Sequence, residues 1–137
     1  MLRVIFACTH NAGRSQMAAA LFNSLCDANR ADASSAGTAP ADRVHPEVAE
    51  VMREIGIDLS HASPQRLTRE LVSTADLLVT MGCGEECPHV PGLRTLDWSI
   101  RDPQGQPLEH VREIRGRIAK LVGDLVTAEG VRRSIIS

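Results

Sequence analysis

The feature that most constrains this chain lies at its start. A short apolar run, Leu2 to Ala7, gives way to the polar stretch Cys8-Thr9-His10-Asn11-Ala12-Gly13-Arg14-Ser15. From Ser15 onward Met17, Ala18, Leu21, Phe22 and Leu25 recur at helical spacing. An apolar run of this length reads as a buried strand, and Gly13 marks a loop. The chain therefore opens as strand, loop and helix, a unit that needs a sheet on one side and further strands beside it.

The rest of the chain repeats that alternation. Asp32 to Ala36 reads as a second strand closed by Gly37, and Thr38 to His45 as a loop. Pro46 suits the first position of a helix carrying Val48, Val51, Met52 and Ile55, which Gly56 ends. After a loop, Leu67 to Ala75 reads as helix and Asp76 to Met81 as a buried strand. Gly82 to Gly92 is a long irregular segment, and Thr95 to Trp98 a last strand. Leu108 to Thr127 is a closing amphipathic helix, with Val111, Ile114, Ile118, Leu121, Val122 and Leu125 on one stripe. The tail from Gly130 reads as unanchored. The expected fold is α/β: a three-layer sandwich with a four-stranded parallel sheet and helices on both faces, forming a single domain over residues 1–137. Ligands of such sheets sit at the carboxyl ends of the strands. Cys8, Cys83 and Asp102 each follow a strand, so topology alone sends them to one edge.

Composition narrows the function. With 137 residues and 43% apolar content the chain buries a core without help from metals or disulfides. A net charge of -2 gives no global pull toward nucleic acid or membranes. No apolar run is long enough to span a bilayer, and the N-terminal run is too short for a signal peptide. The cytoplasm is the expected location, and four cysteines there point to catalysis or metal binding rather than a disulfide framework. The only aromatic residues are Phe6, Phe22 and Trp98. So few rings make a deep aromatic-binding slot hard to build.

The first loop carries the chemistry. Between strand and helix, the backbone N–H groups of Thr9, His10, Asn11, Ala12 and Gly13 can turn toward one point, and the helix N-terminus adds its own free donors and partial positive charge. Arg14 offers a planar fork suited to a tetrahedral oxyanion. Cys8 stands in the same field, which favours thiolate over thiol. Ser15 can cap the helix and donate to the sulfur. The bland alternative is a buried strand-end cysteine with a solvated arginine. Cys26, on the apolar side of the first helix, reads as core. His10, His45 and His61 suggest no role.

The run Cys-Thr-x-Asn-x-x-Arg-Ser-Gln-Met-Ala, from Cys8 to Ala18, resembles the active-site loop of the low-molecular-weight tyrosine phosphatase superfamily, and within it the thioredoxin-coupled arsenate reductases. The resemblance extends over nearly the whole chain. It implies that Cys8 is the nucleophile, that Arg14 holds the oxyanion, that Asn11 shapes the loop and that Ser15 stabilises the Cys8 thiolate. It implies a relay in which Cys8 attacks arsenate, Cys83 attacks Cys8 and releases arsenite, and Cys87 attacks Cys83 to leave a disulfide for thioredoxin. It implies Asp102 as general acid and no bound cofactor. Some relatives hold potassium near the loop through an acid on the first helix, but Met17-Ala18-Ala19-Ala20 offers none here, so no metal is expected. A monomer suffices for this chemistry.

This chain departs from that pattern in two places. Three residues separate Cys83 from Cys87, fewer than in the best-known reductases. Gln104 follows Asp102-Pro103 where the phosphatases usually carry Tyr. Phosphomonoester hydrolysis remains the alternative activity. Cys83, Cys87 and His89 as metal ligands is a third reading, but their spacing does not match paired Cys-x-x-Cys sites. Asp102 before Pro103 is also an ordinary turn opener.

Overall fold

The computed structural model describes residues 1–82, 87 and 90–134. Along the chain run β1 (Leu2–Cys8), α1 (Arg14–Leu25), β2 (Ala31–Gly37), α2 (Pro46–Arg53), α3 (Arg69–Val72), β3 (Leu77–Thr80), β4 (Arg94–Asp97) and α4 (Leu108–Ala128). The strands form one parallel sheet in the order β2-β1-β3-β4. The order reverses between β1 and β3, which opens a crevice at the carboxyl end of β1. Cys8 is the last residue of that strand.

Alternation along β1 divides the core. Val4, Phe6 and Cys8 face a large cluster with Met17, Phe22, Val48 and Ile118 from α1, α2 and α4. Ile5 and Ala7 face the other way, joining Leu78 in a smaller cluster against Leu71 of α3 and the side chains of Leu67, Ala75, Cys87 and Leu93. Helices thus cover both faces, unequally, as the three-layer reading expects. Phe6 packs between Phe22 and Trp98, with ring centroids 5.9 and 5.7 Å away. Both contacts are tilted, at 58° and 46°, so the three rings of this chain meet at Phe6.

Three expectations need correction. The helix read over Leu67 to Ala75 is only four residues long, Arg69–Val72. Leu67 is held in extended form by its N–H bond to the Gly37 carbonyl, at 2.8 Å, so it cannot join a helix. Downstream, the Ser73 and Thr74 hydroxyls bond back to the Glu70 and Leu71 carbonyls, which closes the turn. Next, β4 is shifted one residue toward the N-terminus, although Trp98 still donates to the Thr80 carbonyl at 2.8 Å. Finally, the tail is anchored over its described residues, 130–134. Gly130, at φ +68°, reverses the chain after α4, and Val131 is buried. Its carbonyl accepts from the Asp27 N–H, and the Arg133 N–H donates to Leu25. Among the described residues no helix is long and apolar enough to cross a membrane.

Candidate active site

The loop after β1 is held by its carbonyls. Those of Cys8, Thr9 and His10 accept N–H bonds from Thr38, Ala39 and Ala41, and that of Ala12 accepts from His45. The Asn11 carbonyl takes the Gln16 side-chain amide at 3.0 Å, and the Gly13 carbonyl takes the Met17 N–H. With each carbonyl bound outward, the amides are turned the other way. Among the described residues, no N–H from Thr9 to Gly13 donates to the protein. Unpaired donors in a largely buried loop call for a visiting acceptor, and an oxyanion supplies several oxygens at once.

Asn11 sets the bend. It has φ +51°, a left-handed conformation that asparagine tolerates better than most residues, and it is fully buried. Its side-chain oxygen accepts from the Gln65 N–H at 2.9 Å. Its side-chain nitrogen donates to Ser15 Oγ at 2.7 Å. Ser15 Oγ in turn lies 2.8 Å from Cys8 Sγ. Because Asn11 already donates to that oxygen, the Ser15 hydroxyl hydrogen is available to the sulfur. This is a charge-assisted donor aimed at a thiolate. Ser15 does not cap the helix, contrary to the sequence expectation. Helix α1 begins at Arg14 after Gly13, with no side-chain cap.

Arg14 is buried beside this sulfur-bearing loop and is steered from three sides. Its Nη1 donates to the Ile100 carbonyl at 3.1 Å, and its Nη2 lies 3.8 Å from Asp102 Oδ2. Gly82 presses its backbone against the guanidinium, where any Cβ would collide with Nη1. Gly82 has φ +90°, and its carbonyl accepts from Thr9 Oγ1 at 3.3 Å. Asp102 is half-exposed and also receives the Gln104 N–H, so the turn and the site share one carboxylate. Pro103 closes over the loop: a Cβ on Gly13 would come within 2.7 Å of its Cγ.

The structure therefore brings Cys8, Thr9, Asn11, Arg14, Ser15 and Asp102 together at the sheet edge. Cys83 lies outside the described residues, but its neighbour Gly82 touches both Thr9 and Arg14. Cys87 packs on the smaller core cluster and is disulfide-bonded, whereas Cys8 and Cys26 carry free thiols. Burial pushes the Cys26 thiol up, which keeps it inert. Among the described residues no group of three or more His, Cys, Asp or Glu side chains is placed to hold a metal. Of the ligand set Cys83, Cys87 and His89, two members lie outside the described residues.

Sequence reasoning missed several supports. Gly37 ends β2 so close to the loop that a Cβ would come within 2.5 Å of the Thr9 carbonyl. A glycine closing a strand was its only local signal. Gln65, Gln16 and the Ile100 carbonyl gave none, because their partners are set by tertiary packing.

Comparison with known proteins agrees with this geometry. Residues 3–134 match the pattern of the family described as low molecular weight phosphotyrosine protein phosphatase. A protein of Halobacterium salinarum is 40% identical over 124 residues, covering 88% of this chain and 87% of that one. The glutaredoxin arsenate reductase of Synechocystis is 33% identical, over 92% of this chain and 97% of its own. Among solved structures, the thioredoxin-dependent arsenate reductase of Corynebacterium glutamicum superposes with a TM-score of 0.76 at 37% identity over 93% of this chain. This chain spans 63% of the length of that protein. A loop of outward carbonyls with a serine-bound cysteine at its head, on this sheet and across this much of the sequence, has one reading: the chain belongs to the low molecular weight phosphotyrosine protein phosphatase family.

Proposed function

We propose that this chain reduces arsenate to arsenite through Cys8, Cys83 and Cys87, with a dithiol protein of the thioredoxin class as reductant. The observation that carries the reading is the disulfide at Cys87, five residues after the Gly82 that touches Thr9 and Arg14, while the Cys8 thiol is free. A hydrolase needs one sulfur. A reductase that closes its disulfides within its own chain, as this relay does, needs two more.

Arsenate enters the cradle with its oxygens on the Thr9–Gly13 amides and Arg14. The Cys8 thiolate, held by the Ser15 hydroxyl, attacks arsenic, and an oxygen leaves as water with a proton delivered by Asp102. Cys83 then attacks Cys8 Sγ. The sulfur–arsenic bond breaks with its electron pair moving to arsenic, so As(V) becomes As(III) and arsenite departs. The two thiols are oxidised to a Cys8–Cys83 disulfide. Cys87 attacks Cys83, frees Cys8 as thiolate and leaves a disulfide that the reductant reopens.

Phosphomonoester hydrolysis is the second reading, favoured by a cradle that senses only the shape and charge of a tetrahedral oxyanion. It is expected as a weak side activity. The deciding experiment follows NADPH consumption with arsenate, thioredoxin and thioredoxin reductase, run beside hydrolysis of p-nitrophenyl phosphate. Arsenate-dependent consumption supports the relay. Brisk ester hydrolysis with no arsenate-dependent consumption, with either thioredoxin or glutaredoxin, returns the chain to the phosphatases.

A further inference from the structure

A second cluster of cationic side chains stands one residue from the Arg14 anchor. Ile100, whose carbonyl holds Arg14, also walls a cleft of about 290 Å³ between the β4–α4 connection and α4. Arg101 and Arg117 both line it, with His110 and the Ser99 hydroxyl beside them. Neither arginine makes a hydrogen bond or ion pair among the described residues. The contrast with their neighbours is sharp. Arg112 and Arg115, also on α4, both bind Glu54, and Arg14 is held by Ile100 and Asp102. Among the described residues Glu113 is the one carboxylate lining the cleft, and it forms no ion pair with either arginine. The floor is apolar, from the buried side chains of Ile100 and Ile114.

Two guanidiniums without a partner among the described residues share one concave site with the Ser99 hydroxyl and with His110, whose Nδ1 is 3.3 Å from Gln106 Oε1 and whose Nε2 is 4.0 Å from Glu109 Oε1. Guanidinium forks match phosphate-class oxyanions, and a cleft with low-dielectric walls strengthens the field inside it. We propose that this cleft is a second oxyanion site, separate from the Cys8 cradle, taking a phosphate group between Arg101 and Arg117. The phosphate comes either as the free anion or as the ester of a small organic molecule, whose body then lies on Ile100 and Ile114. The site stands whether the Cys8 cradle reduces arsenate or hydrolyses esters.

The test removes the first cradle from view. Full-length protein is carboxymethylated at Cys8, so that a carboxylate fills the loop. It is then titrated with inorganic phosphate and, separately, with phenyl phosphate, while NMR follows the His110 ring and the arginine side-chain N–H signals. A saturable shift at His110 and Arg117 is expected. In Arg101→Ala and Arg117→Ala, affinity falls by roughly tenfold each, the loss expected for a charge-assisted contact. Unchanged Trp98 emission shows that the variants keep their fold. Tighter binding of phenyl phosphate identifies an organic phosphate as the ligand, and equal binding identifies the bare anion. No saturable shift in the blocked protein, or the same affinity in both variants, overturns the site.

Discussion

At the scale of single residues, one hydrogen-bond chain organises the nucleophile: Gln65 to Asn11, Asn11 to Ser15, Ser15 to Cys8. Each link fixes the next, so the serine hydrogen has one direction left to point. Ser15→Ala removes that donor while the cradle keeps its backbone. The rate of Cys8 alkylation by iodoacetamide at pH 7 should fall by roughly tenfold, the size expected for one charge-assisted bond. An unchanged rate would mean that the 2.8 Å contact only fills space. Cys87→Ser acts later. It should permit a single arsenate turnover and then stop, with Cys8 and Cys83 joined, as mass spectrometry of a non-reducing digest would reveal. Repeated turnover with thioredoxin would remove Cys87 from the relay. Cys8→Ser should abolish both arsenate reduction and ester hydrolysis.

At the scale of elements, glycines decide how closely segments approach the loop. Gly82 has φ +90° and lies against the Arg14 guanidinium. Gly56, at φ +81°, has nothing within 4 Å of its missing Cβ. Alanine at either position carries the same backbone strain, about 1–2 kcal/mol of stability. Only Gly82→Ala also displaces Arg14. Its KM for arsenate should rise by roughly tenfold or more, about 1.4 kcal/mol of anion binding, while Gly56→Ala keeps wild-type kinetics. Equal kinetics in the two variants would show that Arg14 yields freely. These elements also show where sequence reading stops. The strand, loop and helix from Leu2 to Leu25 were legible because periodicity and turn chemistry are local. Parallel topology sent Cys8, Cys83 and Asp102 to one edge; Cys8 and Asp102 lie there, with Arg14 beside Asp102, while Cys83 falls outside the described residues. The brevity of α3 was not legible, since Leu67 is claimed by the end of β2. Nor was the anchoring of the tail, which depends on contacts with α1 more than a hundred residues earlier in the chain, as between Arg133 and Ser24 (109 apart).

At the scale of the whole molecule, the loop is only as steady as the helices behind it. Helix α2 starts at Pro46, directly after His45, whose N–H holds the Ala12 carbonyl. The far end of α2 is fastened to α4 by Glu54, which takes Arg112 Nη2 at 2.7 Å and Arg115 Nη1 at 2.8 Å. Arg115 also donates to the Val51 carbonyl, so the clamp grips backbone as well as charge. The hydrogen bonds from Arg112 and Arg115 hold the Glu54 carboxyl at a pKa of about 2, against an ordinary value of 4.5. A folded-state value below the unfolded one means that the unfolded chain binds the extra proton first. The stabilisation is therefore complete above about pH 4.5 and disappears as pH falls toward 2. In Glu54→Gln that component is missing at every pH. Urea midpoints for the two proteins, measured in parallel, should differ most above pH 4.5 and converge near pH 2. Other carboxylates, including Glu129 paired with Arg94, titrate alike in both proteins and cancel in the difference. Added salt should narrow the gap at neutral pH, because the clamp is partly exposed. A gap that stays constant across the acid range would show that Glu54 joins α2 to α4 by packing alone, and that charge plays no part in steadying the helix behind the anion loop.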